Sequence, residues 1–259
     1  ISENLQILKI IICEELFSEE LAIEEKNIEY VDKKVFEFIS DTKTPQGIMA
    51  ILKIPEKKQT YGNVIFALDD LQDPGNLGTI IRTLDCAGIN TLISSEGTAD
   101  VYNPKVVRST MGAIYRVNCM ENTNLKEELI NLKDKGYKVV ITSLDAEINH
   151  YGLDFTNQKY VIVIGNESKG VSKEIQALAD VKVKIPMLGK TESLNASVAA
   201  SIIAYEYVRY IDSEGNTVSG PAAGMELYSV IFYDNYNSDK DIDLFLAVYN
   251  SDNFMSCCK

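Results

Sequence analysis

From Tyr61 to Tyr210 the chain alternates short, unbroken apolar runs with stretches in which apolar positions recur every three or four residues. The first pattern reads as buried strand and the second as amphipathic helix. "NVIFAL" predicts a strand, and a helix follows from Asn76 to Cys86 with Leu77, Ile80, Ile81 and Leu84 on one face. "INTLISS" predicts a second strand, and "NPKVVRSTM" a helix with Asn103 as its cap and Pro104 in its first position. "AIYRV" reads as a third strand, "NLKEELINLKDKG" as a helix closed by Gly136, and "YKVVITS" and "KYVIVIG" as strands four and five. Residues 168–179 read as a helix, "VKVKI" as a sixth strand, and residues 193–210 as the final helix. Strand–helix alternation at this spacing predicts an α/β fold with a mainly parallel sheet and helices on both faces.

The flanks follow other patterns. Residues 1–58 read as a small α/β piece: "LQILKIIICEELF" as a strand entering a helix, "KKVFEFIS" as a short helix, and "TPQGIMAILKIP" as a turn and a strand ending at Pro55. The polar "EKKQTYGN" is a linker. After Tyr210, "DSEGNTVSGPAAG" reads as a second linker, followed by an acidic, aromatic tail to residue 259. That tail either adds one or two strands or stays loosely ordered.

Composition narrows the function. With 259 residues, 46% of them hydrophobic, the chain can bury a sizeable core in one large or two smaller domains. No apolar run approaches the roughly 18–20 residues that span a bilayer, so no membrane partner is expected. "LQILKIII" is too short and too poorly flanked for a signal peptide. The five cysteines (13, 86, 119, 257 and 258) form no CxxC pair, which suits reduced thiols in the cytoplasm better than disulfides or zinc. The single histidine, His150, supplies neither a metal cluster nor a serine-hydrolase triad, and no metal is expected.

The net charge of −13 argues against broad, nonspecific nucleic-acid binding. Its distribution is uneven. Acidic and basic residues number 18 and 15 over residues 61–210, but 8 and 2 over residues 211–259. Only four arginines exist, and Arg82, Arg108 and Arg116 fall close together in the central region.

In open α/β sheets ligands gather beyond the carboxyl ends of the strands, and three such loops here are rich in Gly and polar residues. In "LDDLQDPGNLGTIIRT", Asn76 suits a helix cap, while Arg82 lies off the apolar stripe. Arg82 is therefore either a solvated helix residue or a ligand for an anionic substrate group. In "VIVIGNESKGV", Gly165 lets a ligand approach the strand tip, with Asn166 and Glu167 beside it. In "KIPMLGKTESLNASVAA", Ser193 is a candidate cap and the alanines allow close packing, but neither explains why Glu192, Ser193 and Asn195 occur together.

Taken together, "DPGNLGTIIRT", "VIVIGNESKGV" and "IPMLGKTESLNASVAA" resemble the three motifs of the SpoU/TrmH-like RNA 2′-O-ribose methyltransferases of the SPOUT superfamily, over residues 61–210. "NPKVVRSTMGAIYRV" resembles the segment between the first two motifs, and "TPQGIMAIL" the end of the substrate-recognition domain that precedes the catalytic one. On that likeness residues 1–58 are a partial RNA-recognition domain lacking its front portion, residues 61–210 the methyltransferase domain, and residues 211–259 a tail without counterpart. The resemblance implies a C-terminal deep trefoil knot, an exception to the rule that chains are unknotted. It also implies a homodimer joined largely through the final helix.

The resemblance implies S-adenosylmethionine as methyl donor, held by Gly165, Ile185, Pro186, Met187 and Leu194, with Thr142 and Leu144 after the fourth strand. It implies a catalytic set of Asn76, Arg82, Glu167, Ser193 and Asn195. The reaction is attack of a ribose 2′-oxygen on the sulfonium methyl group, on ribosomal RNA in preference to transfer RNA. Arg82 is better suited to orienting ribose and phosphate than to accepting a proton, because guanidinium stays charged. A catalytically inactive RNA-binding relative is the alternative from another class, though all five residues of the set are present. A nicotinamide dehydrogenase would need a glycine fingerprint after the first strand, and that is absent.

Overall fold

The computed structural model describes residues 6–19, 27–40, 42–54, 56, 61–208 and 210. Among these residues two sheets are present. β1 (Ile7–Ile12) is the centre of the smaller one, with β2 (Ile28–Tyr30) parallel on one side and β3 (Ile48–Leu52) antiparallel on the other. Between β2 and β3 lies α1 (Lys33–Ile39), capped by Asp32, whose side chain accepts from the Val35 amide; its Phe36 is buried. The helix over "KKVFEFIS" and the strand after "TPQG" match expectation. A turn, not a helix, follows β1, and β3 ends at Leu52. Pro55 and residues 211–259 lie outside the described residues, and with them the two readings of the tail.

The larger sheet has seven strands in the order β6-β5-β4-β9-β7-β10-β8, and every pairing in it is parallel. They are β4 (Val64–Asp69), β5 (Thr91–Ser95), β6 (Asn118–Thr123), β7 (Tyr137–Thr142), β8 (Ile148–Asn149), β9 (Lys159–Gly165) and β10 (Val181–Lys184). Side chains alternate between faces along a strand, and each face has its own core. Phe66 and Leu68 of β4, Val140 of β7 and Ile162 of β9 join Leu77, Ile80, Ile81 and Leu84 of α2 (Pro74–Cys86) and Ala200, Ile203 and Ala204 of α6 (Ala196–Val208). Ile65, Ala67, Val139, Val161 and Val163 point the other way, onto Leu125, Leu129 and Leu132 of α4 (Leu125–Asp134) and Ile175 of α5 (Lys173–Gln176). Burial on both faces is why these strands read as continuous apolar runs.

Local signals set most helix ends. Asn103 caps α3 (Pro104–Ser109), with Pro104 in its first position. Asn124 opens α4 by accepting from the Glu127 amide, and Gly136 follows its end at φ +85°. Four expectations are corrected. "AIYRV" is no strand: positive φ at Met111 (50°) and Gly112 (84°) rolls the chain into a 3-10 turn, Ala113–Tyr115, that drops Ala113 and Ile114 into the core. The strand is the following "NCMENT", a sheet edge whose polar sequence hides it. The helix expected over residues 168–179 is only the single turn α5, because the Asn166 side chain accepts from the Ser168 and Lys169 amides and favours a tight loop. α2 starts at Pro74 with Asp73 as its cap, and α6 starts at Ala196, so neither Asn76 nor Ser193 caps a helix.

α2 packs between α3 and α6. A Cβ on Gly78 would stand 1.6 Å from Ser109 Oγ and 2.8 Å from Ser109 Cβ, so the α2–α3 approach requires glycine there. Gly78→Ala is expected to destabilise the protein by about 1–3 kcal/mol, read as a lower thermal midpoint. Ser109→Ala should not rescue it, because the Cβ contact remains. An unchanged midpoint in Gly78→Ala would contradict this packing.

Candidate functional site

The carboxyl ends of three neighbouring strands, β9, β7 and β10, open into one cavity of about 480 Å³. Thr142 reaches it from the end of β7 and Leu144 from the loop that follows, Gly165 and Glu167 from the end of β9, and Ile185 and Met187 from the segment after β10. Ser193, Leu194 and Asn195 close it together with Ala196 and Ala199 from the first turn of α6. Nine of the twelve site residues expected from the sequence therefore line one cavity. Pro186, Asn76 and Arg82 do not line it. Pro186 is exposed between Ile185 and Met187, so the extended backbone turns its two neighbours inward and the proline outward.

Gly165 lines the cavity and is also required by its own loop. A Cβ there would lie 2.2 Å from both Gly170 C and Val171 N, because the loop after β9 doubles back against its own start. That return is fixed by a bridge between Asn166 and Gly170 and by Gly170 at φ +68°. Outside the loop, the Asn166 amide donates to the Asp70 carbonyl at 2.8 Å. Buried Asp69, at the end of β4, accepts from the Ser172 amide at 2.7 Å. Asp69, Asp70 and Asn166 thus fasten the β9 loop to the β4 loop. Asp69 and Asp70 were missing from the expected set; the only sequence signal was an acidic pair directly after an apolar strand.

Asn76 joins the site indirectly. Its side-chain amide donates to Glu167 Oε1 at 3.0 Å, and its Oδ1 accepts from the Asn195 amide at 2.9 Å. Glu167 also accepts from the backbone amides of Gln72 (3.2 Å) and Asp73 (3.1 Å). Asn195 Oδ1 in turn accepts from the amides of Ser197 and Val198, which makes Asn195 the cap of α6. One relay, Glu167–Asn76–Asn195, therefore ties together loops drawn from positions more than ninety residues apart. Burial alone pushes the Glu167 carboxyl up, but the hydrogen bonds from Asn76, its own loop and the Asp73 and Gln72 amides outweigh it and hold the group below the usual carboxylate range. Ser193 is exposed at the cavity edge.

Arg82 is exposed on α2, outside the cavity, and no described carboxylate pairs with it. Arg116, by contrast, is held in a fork by Asp85, with Nε donating at 2.9 and 3.0 Å and Nη2 at 2.7 Å.

The family model described as the SpoU rRNA methylase family matches residues 63–205, more than half of the chain. The chain belongs to the SpoU rRNA methylase family. The 23S rRNA (guanosine(2553)-2′-O)-methyltransferase RlmP of Bacillus subtilis is 34% identical over 175 residues, covering 68% of this chain and 70% of that protein. The SpoU methyltransferase AviRb of Streptomyces viridochromogenes, solved in complex with the cofactor AdoMet, superposes with a TM-score of 0.69 at 27% identity, covering 79% of this chain and 83% of that one. The TrmH/SpoU tRNA modifying enzyme of A. aeolicus is 35% identical with a TM-score of 0.52, covering 59% of this chain and 77% of that one. As a member of the SpoU family the chain is a methyltransferase, and the family uses S-adenosylmethionine. Among the described residues no helix is long and apolar enough to cross a membrane.

Glu167→Gln is expected to lower the thermal midpoint at neutral pH by about 2–6 °C, since the new NH2 group must oppose either the Gln72 N–H or the Asp73 N–H and Asn76 amide, which donate to different carboxylate oxygens. The carboxyl sits below its ordinary 4.5, so this stabilisation is fully present above about that pH. It fades as the pH falls through the lower folded value. The gap between wild type and variant should therefore close on acidification. A gap independent of pH would show that ionisation of Glu167 is not what holds the loops.

Proposed function

We propose that the chain transfers a methyl group from S-adenosylmethionine to a ribose 2′-hydroxyl of ribosomal RNA. The observation that carries this reading is the Glu167–Asn76–Asn195 relay, which gathers the three motif loops at one cavity mouth. The cavity suits the methyl donor. Its volume falls within the range of small-molecule sites, and it combines strand-end backbone with exposed Leu144 and Leu194, partly covered Ile185 and Met187, and polar Thr142 and Ser193. Leu144, Gly165, Ile185, Met187 and Leu194 would hold it; when bound, it supplies an electrophilic methyl carried on sulfonium.

The remaining chemistry falls to the chain. A ribose hydroxyl is a weak nucleophile and must lose its proton as the new bond forms. Glu167 is a poor acceptor for that proton, because several donors already stabilise its charge. Arg82 orients the phosphate and ribose and stabilises the developing alkoxide, while the proton passes to a phosphate oxygen or water. Asn76 and Asn195 fix the loops, and Ser193 faces the ribose. The kinship with RlmP favours ribosomal RNA; the likeness to the A. aeolicus enzyme makes transfer RNA the second reading.

The same reading covers the architecture. Residues 61–210 are the catalytic domain, with the segment that forms β10 and α6 drawn into a deep trefoil knot. Residues 1–58 belong to a substrate-recognition domain, and the enzyme works in the cytoplasm as a homodimer. Support for the dimer comes from α6, where Val198 and Tyr205, seven residues apart on one stripe, are 45% and 47% exposed.

Radiolabelled methyl transfer to rRNA from cells lacking the enzyme tests the proposal, with the modified nucleotide mapped by primer extension. Arg82→Ala should reduce the transfer rate by about 100-fold while calorimetric affinity for S-adenosylmethionine stays unchanged, because Arg82 lies outside the cavity. Undiminished transfer by Arg82→Ala would overturn its assigned role, and methylation of tRNA alone would decide for the second reading.

A further inference from the structure

α3 ends in an unusual way. Its last turn is followed by Met111 at φ 50°, where the backbone favours glycine or asparagine. The Met111 side chain is 71% exposed and belongs to neither core. Neither the backbone nor the packing of this chain therefore calls for methionine at that place. A strained residue with no internal use is a reason to look for an external one.

Its surroundings supply one. Gly78, Arg82 and Asp85 are spaced four and three residues apart and share one stripe of α2. At one end of that stripe the absent Gly78 Cβ abuts Ser109. At the other, Asp85 grips Arg116, whose Nη1 lies 3.8 Å from the place of a Cβ on Gly112. The two contacts that bracket Arg82 on α2 also bracket Met111 on the neighbouring segment. Arg82 and Met111 thus lie between the same two contacts of the α2–α3 seam, and both are exposed.

We infer that Met111 is an apolar shelf on which a nucleobase of the substrate RNA packs while Arg82 holds the adjoining ribose and phosphate. The inference rests on the function proposed above. A ribose presented to an enzyme through its 2′-oxygen belongs to a nucleotide pulled out of regular stacking, whose exposed base face needs a partner. A thioether suits this: it is polarizable, makes favourable contacts with aromatic rings, and adapts to different bases.

Met111→Gly and Met111→Leu in the full chain test this, using rRNA from cells lacking the enzyme as substrate. Glycine relieves the backbone, so Met111→Gly should melt higher than wild type by about 2–4 °C. It should nevertheless bind rRNA about tenfold more weakly in a filter assay and raise KM for rRNA correspondingly. Its kcat at saturating RNA and its affinity for S-adenosylmethionine should be unchanged, since the contact acts on binding. Met111→Leu should restore most of the RNA affinity. Unchanged RNA binding in Met111→Gly would overturn the shelf, as would a loss that tracks a lower melting temperature or a change of oligomeric state by light scattering. If wild type transfers no methyl yet Met111→Gly still binds RNA more weakly, the shelf stands and the proposed reaction falls.

Discussion

The site depends on a single hydrogen-bond relay. Glu167, at the tip of β9, has acceptor capacity for several donors, and it receives them from two backbone amides of the β4 loop and from Asn76 on α2. Asn76 then accepts from Asn195, which caps the last helix. Each residue has a local duty as well as a distant one. The cap cannot be made without fixing Asn195, and Asn195 cannot bond Asn76 unless α6 begins where it does. Coupling of this kind gives the Glu167 carboxylate a structural duty at the cavity mouth. Its charge is already committed to donors whose loss would separate the loops.

Sheet order sets where those loops can meet. β9 pairs with β4 on one side and β7 on the other, so its carboxyl end is a neighbour of both the β4 loop and the cavity. β10 adds on the far side of β7, which carries the segment from Ile185 to Asn195 back over the same ends. A parallel sheet places all of these tips at one edge. The relay then needs only short side chains to close the gap, and a rigid core on each face keeps the strands from shifting beneath it.

Much of this is legible in the sequence, and the failures are instructive. The strands β4, β7 and β9 are covered on both faces and announce themselves as unbroken apolar runs. The edge strand β6 is not covered in that way, and its polar "NCMENT" lost to the better-patterned "AIYRV". Site residues were identifiable where a motif grouped them, and nine of twelve line the cavity. What pattern could not supply was direction. It could not show that Pro186 faces away, that Asp73 rather than Asn76 caps α2, or that Asn195 rather than Ser193 caps α6. Those outcomes follow from which side chain first reaches an orphan amide, a matter of ångströms after folding. Nor could pattern show that Gly165 is also required by its own loop, which returns to within 2.2 Å of the place of a Cβ there.

An acidic protein that acts on RNA has to concentrate positive charge where it is used. Arg82 and Arg116, two of the four arginines of the chain, are not equivalent. Arg116 is neutralised by the fork to Asp85, which spends its charge on holding the turn after α3 against α2. Arg82, on the same helix stripe as Asp85, has no described carboxylate beside it. The acidic residue that could have quenched it is engaged one turn away. One guanidinium without a described carboxylate partner, in a nearly balanced domain, is attractive to one phosphate and does little for a long backbone. The proposed contact at the exposed Met111, which carries no charge, would act beside Arg82 rather than through it.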